Sequence, residues 1–353
     1  MDRNSGTLVF LSHDLSNNAM GRLYSTYLIA RKAGYRCVIA GAKGSALWAP
    51  VQSQLQDVEV VSFSTVEDLV HLAERTSASA FLSVKAMPST LFPGMSAARE
   101  CGLPLVLDID DPDLDVALSR DSRLRAIAKR IRHPRQMHAF SAAHGIATRH
   151  ARVITSSPAL AQIYGGQIVP HVRAQRPMPG TPHHSSKPSL AFVGTPLQHK
   201  GISQLRSAVA QTQHLGTTLT VTAEAPTDAH PWERWVGRTS LEEGMRIVAN
   251  TDIIAIPSLE IGYGPLQLPV KLIDAMLLGR AIIVSDLEPM TWAIGDAGLV
   301  VTPGSTRRLV DAISTLADPA ARSQLGARAL ERARVLFDPA QYVDELKSVI
   351  EMP

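Results

Sequence analysis

Cysteine is nearly absent. Cys37 and Cys101 are the only two in 353 residues, far apart and without a CxxC pair, so they imply neither a disulfide framework nor a zinc site. Net charge is equally spare, at +3, which excludes wholesale electrostatic binding to nucleic acid. Aromatic residues do not alternate with the basic ones between Leu118 and Arg152, so a nucleic-acid stacking platform is not expected. No apolar run approaches the roughly 18 residues of a membrane span. The opening residues MDRNSGTLVFLSHDLS hold an apolar stretch too short for a secretory signal and no small-residue cleavage site, so the expected location is cytoplasmic. Several catalytic signatures are missing too. There is no GxxxxGK[ST] phosphate loop, no GxSxG elbow and no HExxH zinc helix. No repeat of solenoid length is found.

What is present describes a globular chain. Hydrophobic residues make up 45% and charged residues 19%, and the length suits two domains, each with its own core. Of the 35 basic residues, 27 are Arg and 8 are Lys, a bias that fits a GC-rich bacterial source. The first half alternates short apolar runs with amphipathic ones. TLVFLS (7–12), RCVIA (36–40), VEVVSF (58–63), AFLSV (80–84), PLVLDID (104–110) and RVITSS (152–157) read as strands, most with helical stretches between them. Residues 173–188, RAQRPMPGTPHHSSKP, carry four prolines and no apolar periodicity, and read as a linker. The alternation then restarts with SLAFVG (189–194), TLTVTA (218–223), DIIAIPS (252–258), AIIVS (281–285) and GLVV (298–301), and the last 35 or so residues read as helix. This pattern predicts an α/β chain of two doubly wound halves with a cleft between them.

Ligands of open α/β sheets bind beyond the carboxyl ends of the strands, so the loops after strands carry the candidate residues. The loop after DIIAIPS holds the Gly262–Tyr263–Gly264 turn. It leads into a helix in which Lys271 and Asp274 stand three apart on one face, near an N-terminus that favours anions. Taken as spacing alone, that is equally an ordinary surface ion pair. The loop after SLAFVG reads GTPLQHKG, with Lys200 just before a helix, where it can neutralise a phosphate or simply face solvent.

These segments together resemble a known family. FVGTPLQHKG, SLEEGMRIVANTDIIAIPS, PVKLIDAMLLGRAIIVSD and GLVVTPG, in order from about Leu190 to Phe337, look like the C-terminal domain of family 4 glycosyltransferases. The Met20–Gly21 turn and VITSSPALAQIYGGQIVPHV extend a weaker likeness into the first half. The resemblance implies the GT-B architecture, two Rossmann-like domains facing across a cleft, and retaining transfer from a nucleoside diphosphate sugar without a metal or other cofactor. The implied organisation is an acceptor-binding domain over 1–172, a hinge over 173–188, a nucleotide-sugar domain over 189–337, and a terminal helix over 338–353 packing back on the first domain. It places Asp274 on the donor ribose, Lys200 on the diphosphate and the backbone of Gly21 toward the phosphates. Thr195 stands where the family has a clamping Arg. Leu266 stands where it has a first acidic residue, so either Glu260 or the backbone of Gly264, Pro265 and Leu266 meets the sugar.

At the end of PLVL lies Asp108-Ile109-Asp110-Asp111. Asp110 or Asp111 would project beside the donor sugar, where family members often carry a His, and stabilise an oxocarbenium-like state or orient the acceptor. Two other readings are a DxD metal site and simple capping of the following helix. A phosphatase nucleophile motif fails on Pro112. Between Leu118 and Arg152 nine basic residues face one acid. The favoured reading is a solvated helix face, with contact to a membrane or an anionic acceptor as the rivals. The partners expected are a nucleotide sugar and a small-molecule acceptor of the secondary-metabolite kind, and no nucleic acid. A non-catalytic binder of a nucleotide sugar or partner protein, and a nucleotide-sugar 2-epimerase, are the alternatives.

Overall fold

The computed structural model describes residues 6–44, 46–119, 122–174, 180–181 and 183–352. The chain forms two units, Met1–Ala174 with Asp338–Pro353, and Gln175–Phe337. Of the proline-rich segment 173–188, residues 175–179 and 182 lie outside the described residues. Arg173 and Ala174 belong to the first unit, and Thr181 and His183 are anchored on the second. Thr181 donates its amide to the Ala249 carbonyl at 2.8 Å, and the buried His183 bonds the Gly279 carbonyl at 3.1 Å.

The first unit is a seven-stranded sheet of β1 (Thr7–Ser12), β2 (Arg36–Gly41), β3 (Glu59–Ser62), β4 (Ala78–Val84), β5 (Leu105–Ile109), β6 (Val153–Thr155) and β7 (Gln167–Ile168). Its order is β3-β2-β1-β4-β5-β6-β7 and every pair is parallel. Parallel strands covered by helices on both faces must be apolar on both faces, which is why β1 is buried along its whole length. The terminal helix Val343–Glu351 belongs to this unit, its Leu346, Val349 and Ile350 sharing a core with Leu8, Phe10, Ile39 and Leu82.

The second unit is a six-stranded sheet of β8 (Ser189–Phe192), β9 (Thr218–Val221), β10 (Glu233–Trp235), β11 (Ile253–Ile256), β12 (Ala281–Ser285) and β13 (Leu299–Val301). The order is β10-β9-β8-β11-β12-β13, again all parallel. The period of two is visible in its packing. Ile254, Ile282 and Val284 join Leu272, Met276 and Phe337 on one face, while Ile253, Ala281 and Ile283 join Leu205, Val209 and Ile313 on the other. The α/β class and the two doubly wound halves expected from the sequence are thus observed.

In both sheets the strand order reverses at one place, between β1 and β4 and between β8 and β11. Loops leaving the carboxyl ends of strands at such a switch point frame the crevice where open α/β sheets bind ligands.

Candidate functional sites at the two switch points

In the second unit the two switch-point loops are the ones the sequence singled out. The loop after β8 ends in the short turn Gln198–Lys200 and Gly201, which precedes the helix Ile202–Gln211. It packs on the loop after β11, where the Leu259 amide donates to the His199 carbonyl at 2.7 Å. Gly201 makes this approach feasible. Its φ is +66°, and a Cβ there would stand 2.0 Å from the Pro257 carbonyl oxygen. Gly264 closes the other side, since a Cβ would come 2.8 Å from the Leu259 oxygen and 3.8 Å from the His199 ring. Lys200 is half-buried, its Nζ beside Gly194, while Thr195 is exposed. His199 has a buried Nε2 for which the described residues offer no hydrogen-bond partner. Burial, reinforced by the Lys200 charge, lowers its pKa and keeps the ring neutral.

Gly264, Pro265 and Leu266 form a single tight turn, and Glu260 is exposed ahead of it. The helix Val270–Leu277 follows, with Pro269 just outside its first residue. Its Asp274 side chain is buried and receives a hydrogen bond from Lys271 at 3.4 Å. The structure therefore joins Lys200, through its neighbours, to the Gly264 turn. It leaves Thr195 and Glu260 in solvent.

The first unit holds a denser charge cluster. β5 ends at Ile109, and Asp110, Asp111 and Asp113 follow. Lys85, one residue past the end of β4, reaches across the neighbouring strand to all three, at 2.9, 3.2 and 2.9 Å. Both Lys85 and Ala86 have positive φ, 67° and 47°, an uncommon conformation for residues with side chains. The Lys85 amide is fixed to the Asp108 carbonyl at 2.7 Å. Burial alone would lower the ammonium pKa, but the three carboxylates outweigh it and hold it well above the ordinary lysine value. Asp110 is opposed by burial too, and Lys85 and the His171 hydrogen bond hold it well below the carboxylate range. His171 Nε2 lies 3.5 Å from Asp110, and burial lowers that imidazole's pKa. His13, after β1, is lowered by burial and then by the Lys85 charge. Burial, and then the Asp110 charge, raises Asp111, which is a third exposed and the more accessible of the two candidate carboxylates.

Beneath this cluster Asp108 is fully buried with Arg22, which donates to it at 2.9 and 3.0 Å and to the Val169 carbonyl at 2.7 Å. The three carboxylates Asp110, Asp111 and Asp113 are spaced as a cation site would need, and the Lys85 ammonium contacts each of them. The helix Asp113–Leu118 begins with no side-chain cap, so the acidic run serves Lys85 rather than the helix end. Gly21 lies inside the first turn of the helix Ala19–Lys32, and its amide donates to the Asn18 carbonyl at 3.0 Å. The Met20–Gly21 turn expected from the sequence is therefore the first turn of this helix.

Sequence reasoning missed Lys85, His171 and Arg22. Their partners are 25, 61 and 86 residues away, brought close by sheet adjacency. The available signal was a lysine directly after the strand run AFLSV.

Two parallel switch-point sheets of this kind define the GT-B glycosyltransferase fold, and known structures agree. The chain is similar to sucrose-phosphate synthase from Thermosynechococcus elongatus, with 15% identity, a TM-score of 0.70 and 98% of each chain covered. It is similar to Anabaena Alr3699/HepE, solved in complex with UDP and glucose, at 15% identity and a TM-score of 0.71 over 99% of this chain and 100% of that one. A glycosyltransferase from Rickettsia africae matches at 12% identity and a TM-score of 0.66, covering 99% of this chain and 100% of that one. Residues 187–318 match the family model described as Glycosyl transferases group 1. The matched segment lies within the second unit. No curated protein matches the chain in sequence.

Proposed function

We propose that the chain transfers a sugar from a nucleoside diphosphate sugar to an acceptor hydroxyl, with retention at the anomeric carbon. The observation that carries this reading is the group 1 glycosyltransferase match, because it spans both switch-point loops and the Asp274 helix of the second unit. In support, a protein of the same fold is solved with UDP and glucose, so uridine diphosphate is the first donor base to test. Asp274 accepts hydrogen bonds from the ribose hydroxyls, an exchange in which its Lys271 contact is the group displaced. Lys200 and the N-terminus of the Ile202–Gln211 helix face the diphosphate, where negative charge grows as the glycosidic bond breaks. Asp110 and Asp111 are the first unit's candidates for the reacting sugar, and Asp111 is the better placed by exposure. With Lys200 and backbone dipoles on the leaving group, the reaction needs no metal.

Thr195 and Leu266, standing where the resembled family has a cation and an acid, favour one second reading, a binder without turnover. Calorimetry with UDP, GDP, dTDP and ADP separates the two. One diphosphate should bind without metal. Asp274→Ala should weaken that binding by about tenfold or more, the loss of a charged hydrogen-bond acceptor. Lys200→Ala should slow donor turnover, including hydrolysis without acceptor, by roughly a hundredfold. Nucleotide binding with no turnover of the matching sugar donor would favour the binder. Wild-type affinity in Asp274→Ala would remove the ribose assignment.

A further inference from the structure

The helix Arg123–Arg132, RLRAIAKRIR, is built the wrong way round for a globular protein. None of its residues is buried, and its large apolar side chains face out, with Leu124 82%, Ile127 56% and Ile131 78% exposed. At 100° per residue these three and Ala128 fall on one stripe about 100° wide. Arg123 and Arg130 line one edge of the stripe, and Arg125 and Arg132 line the other. The opposite face carries Ala126 and Lys129, both half-buried. Lys129 fastens the helix to the body by donating to the carbonyls of Val116 and Ala117 at 3.3 and 3.0 Å, with Val116 itself 45% exposed. The helix is therefore docked by its polar side and presents an apolar stripe between two rows of arginines.

From this we infer that the first unit docks on an anionic lipid surface through the Arg123–Arg132 helix. Such a helix lies in the plane of the interface, with apolar side chains among the acyl chains and cations at headgroup level. The arginine stems are long enough to reach outward from both edges while the stripe sinks. No acidic residue lies within the helix, so nothing in it repels anionic headgroups. A second copy of the chain is a poor occupant. A twofold contact through the stripe would set its arginines against the same arginines of the other copy. This surface does not depend on the transferase reading, because it uses none of the donor or sugar residues.

The test is sedimentation of the full chain with vesicles of phosphatidylcholine alone and with about 30% phosphatidylglycerol, at about 0.1 M and about 0.5 M salt. Binding is expected only to the anionic vesicles and should fall at the higher salt. The variant L124Q/I127Q/I131Q should lose at least about tenfold in partitioning. R123Q/R125Q/R130Q/R132Q should lose at least about a hundredfold, from roughly fivefold per charge. All these positions are exposed, so far-UV circular dichroism should be unchanged. Ile131→Trp provides a second readout, a blue shift on anionic vesicles in the difference between its emission and that of the wild type, which holds four tryptophans. The inference is overturned if the wild type stays in solution with anionic vesicles, or if the triple glutamine variant partitions like wild type. An unshifted difference emission for the Ile131→Trp variant on anionic vesicles overturns it too. Dimerisation in solution that the glutamines abolish would assign the stripe to a second copy instead.

Discussion

Lys85 shows how much of the chemistry of the first unit rests on one side chain. It sits at a strained φ, and such conformations persist only where surroundings over-determine them. Here the determinants are the Asp108 carbonyl behind it and three carboxylates ahead. Lys85→Met would leave the buried Asp110 without its cation and two half-buried carboxylates repelling it. Removing one partner of a buried pair costs about 3 kcal/mol or more. Asp111 and Asp113 are a third exposed, so most of that cost belongs to Asp110. In the variant the carboxyl pKa values rise above their unfolded values, so the folded form binds more protons and the deficit shrinks as pH falls through the carboxylate range. Denaturant titrations of both proteins at neutral pH and near pH 4.5 check this. A deficit that is the same at both would mean that Lys85 fills space and does not balance charge. In the sequence Asp110 and Asp111 stood out as a carboxylate pair, while the lysine directly after AFLSV was the only sign of their partner, because the contact spans 25 residues.

Whole elements were far easier to read than their charges. β1 and β12 fall where the apolar runs place them, because a strand buried on both faces must be continuously apolar. β7 and β10, two and three residues long, carry too few side chains to make a pattern, and both lie at sheet edges. The basic run after Leu118 was counted for charge and read as a solvated face. The spacing of Leu124, Ile127 and Ile131 within it was the missed signal, and it gains meaning only once the structure shows the stripe pointing outward. Loop contacts are the least legible of all, and Gly201 gives a test at this scale. Gly201 and Gly102 have nearly the same φ, +66° and +65°, but a Cβ at Gly102 meets nothing within 4 Å, whereas at Gly201 it meets the Pro257 backbone. Gly102→Ala should cost only the left-handed penalty, about 1 kcal/mol. Gly201→Ala must also part the two loops, so it should cost at least about 2 kcal/mol and weaken nucleotide binding as Lys200 shifts. Equal melting temperatures for the two variants would show that the β8 and β11 loops are not held against each other as described.

For the molecule as a whole, the two doubly wound units and the outward-facing helix pull the acceptor expectation in a new direction. The sequence leads to the expectation of a small-molecule acceptor, and no helix among the described residues is long and apolar enough to cross a membrane. An interfacial helix of ten residues needs no such length, so an acceptor presented at a lipid surface becomes the first class to assay. Among the described residues one acidic trio, Asp110, Asp111 and Asp113, has the spacing of a cation site. A divalent ion would have to add beside Lys200 in the second unit, or displace Lys85 from the carboxylates of the first. The Lys85 ammonium, held charged by three carboxylates, resists that displacement, since the incoming ion must offset the cost of leaving the lysine buried and unpaired. Donor turnover should therefore be unchanged, within about twofold, by excess EDTA and by added Mg²⁺ or Mn²⁺. Turnover abolished by EDTA and restored by Mn²⁺ would return the carboxylate trio to the role of a metal site. In that event Lys85→Met, by vacating the trio, should bind the ion more tightly than the wild type does.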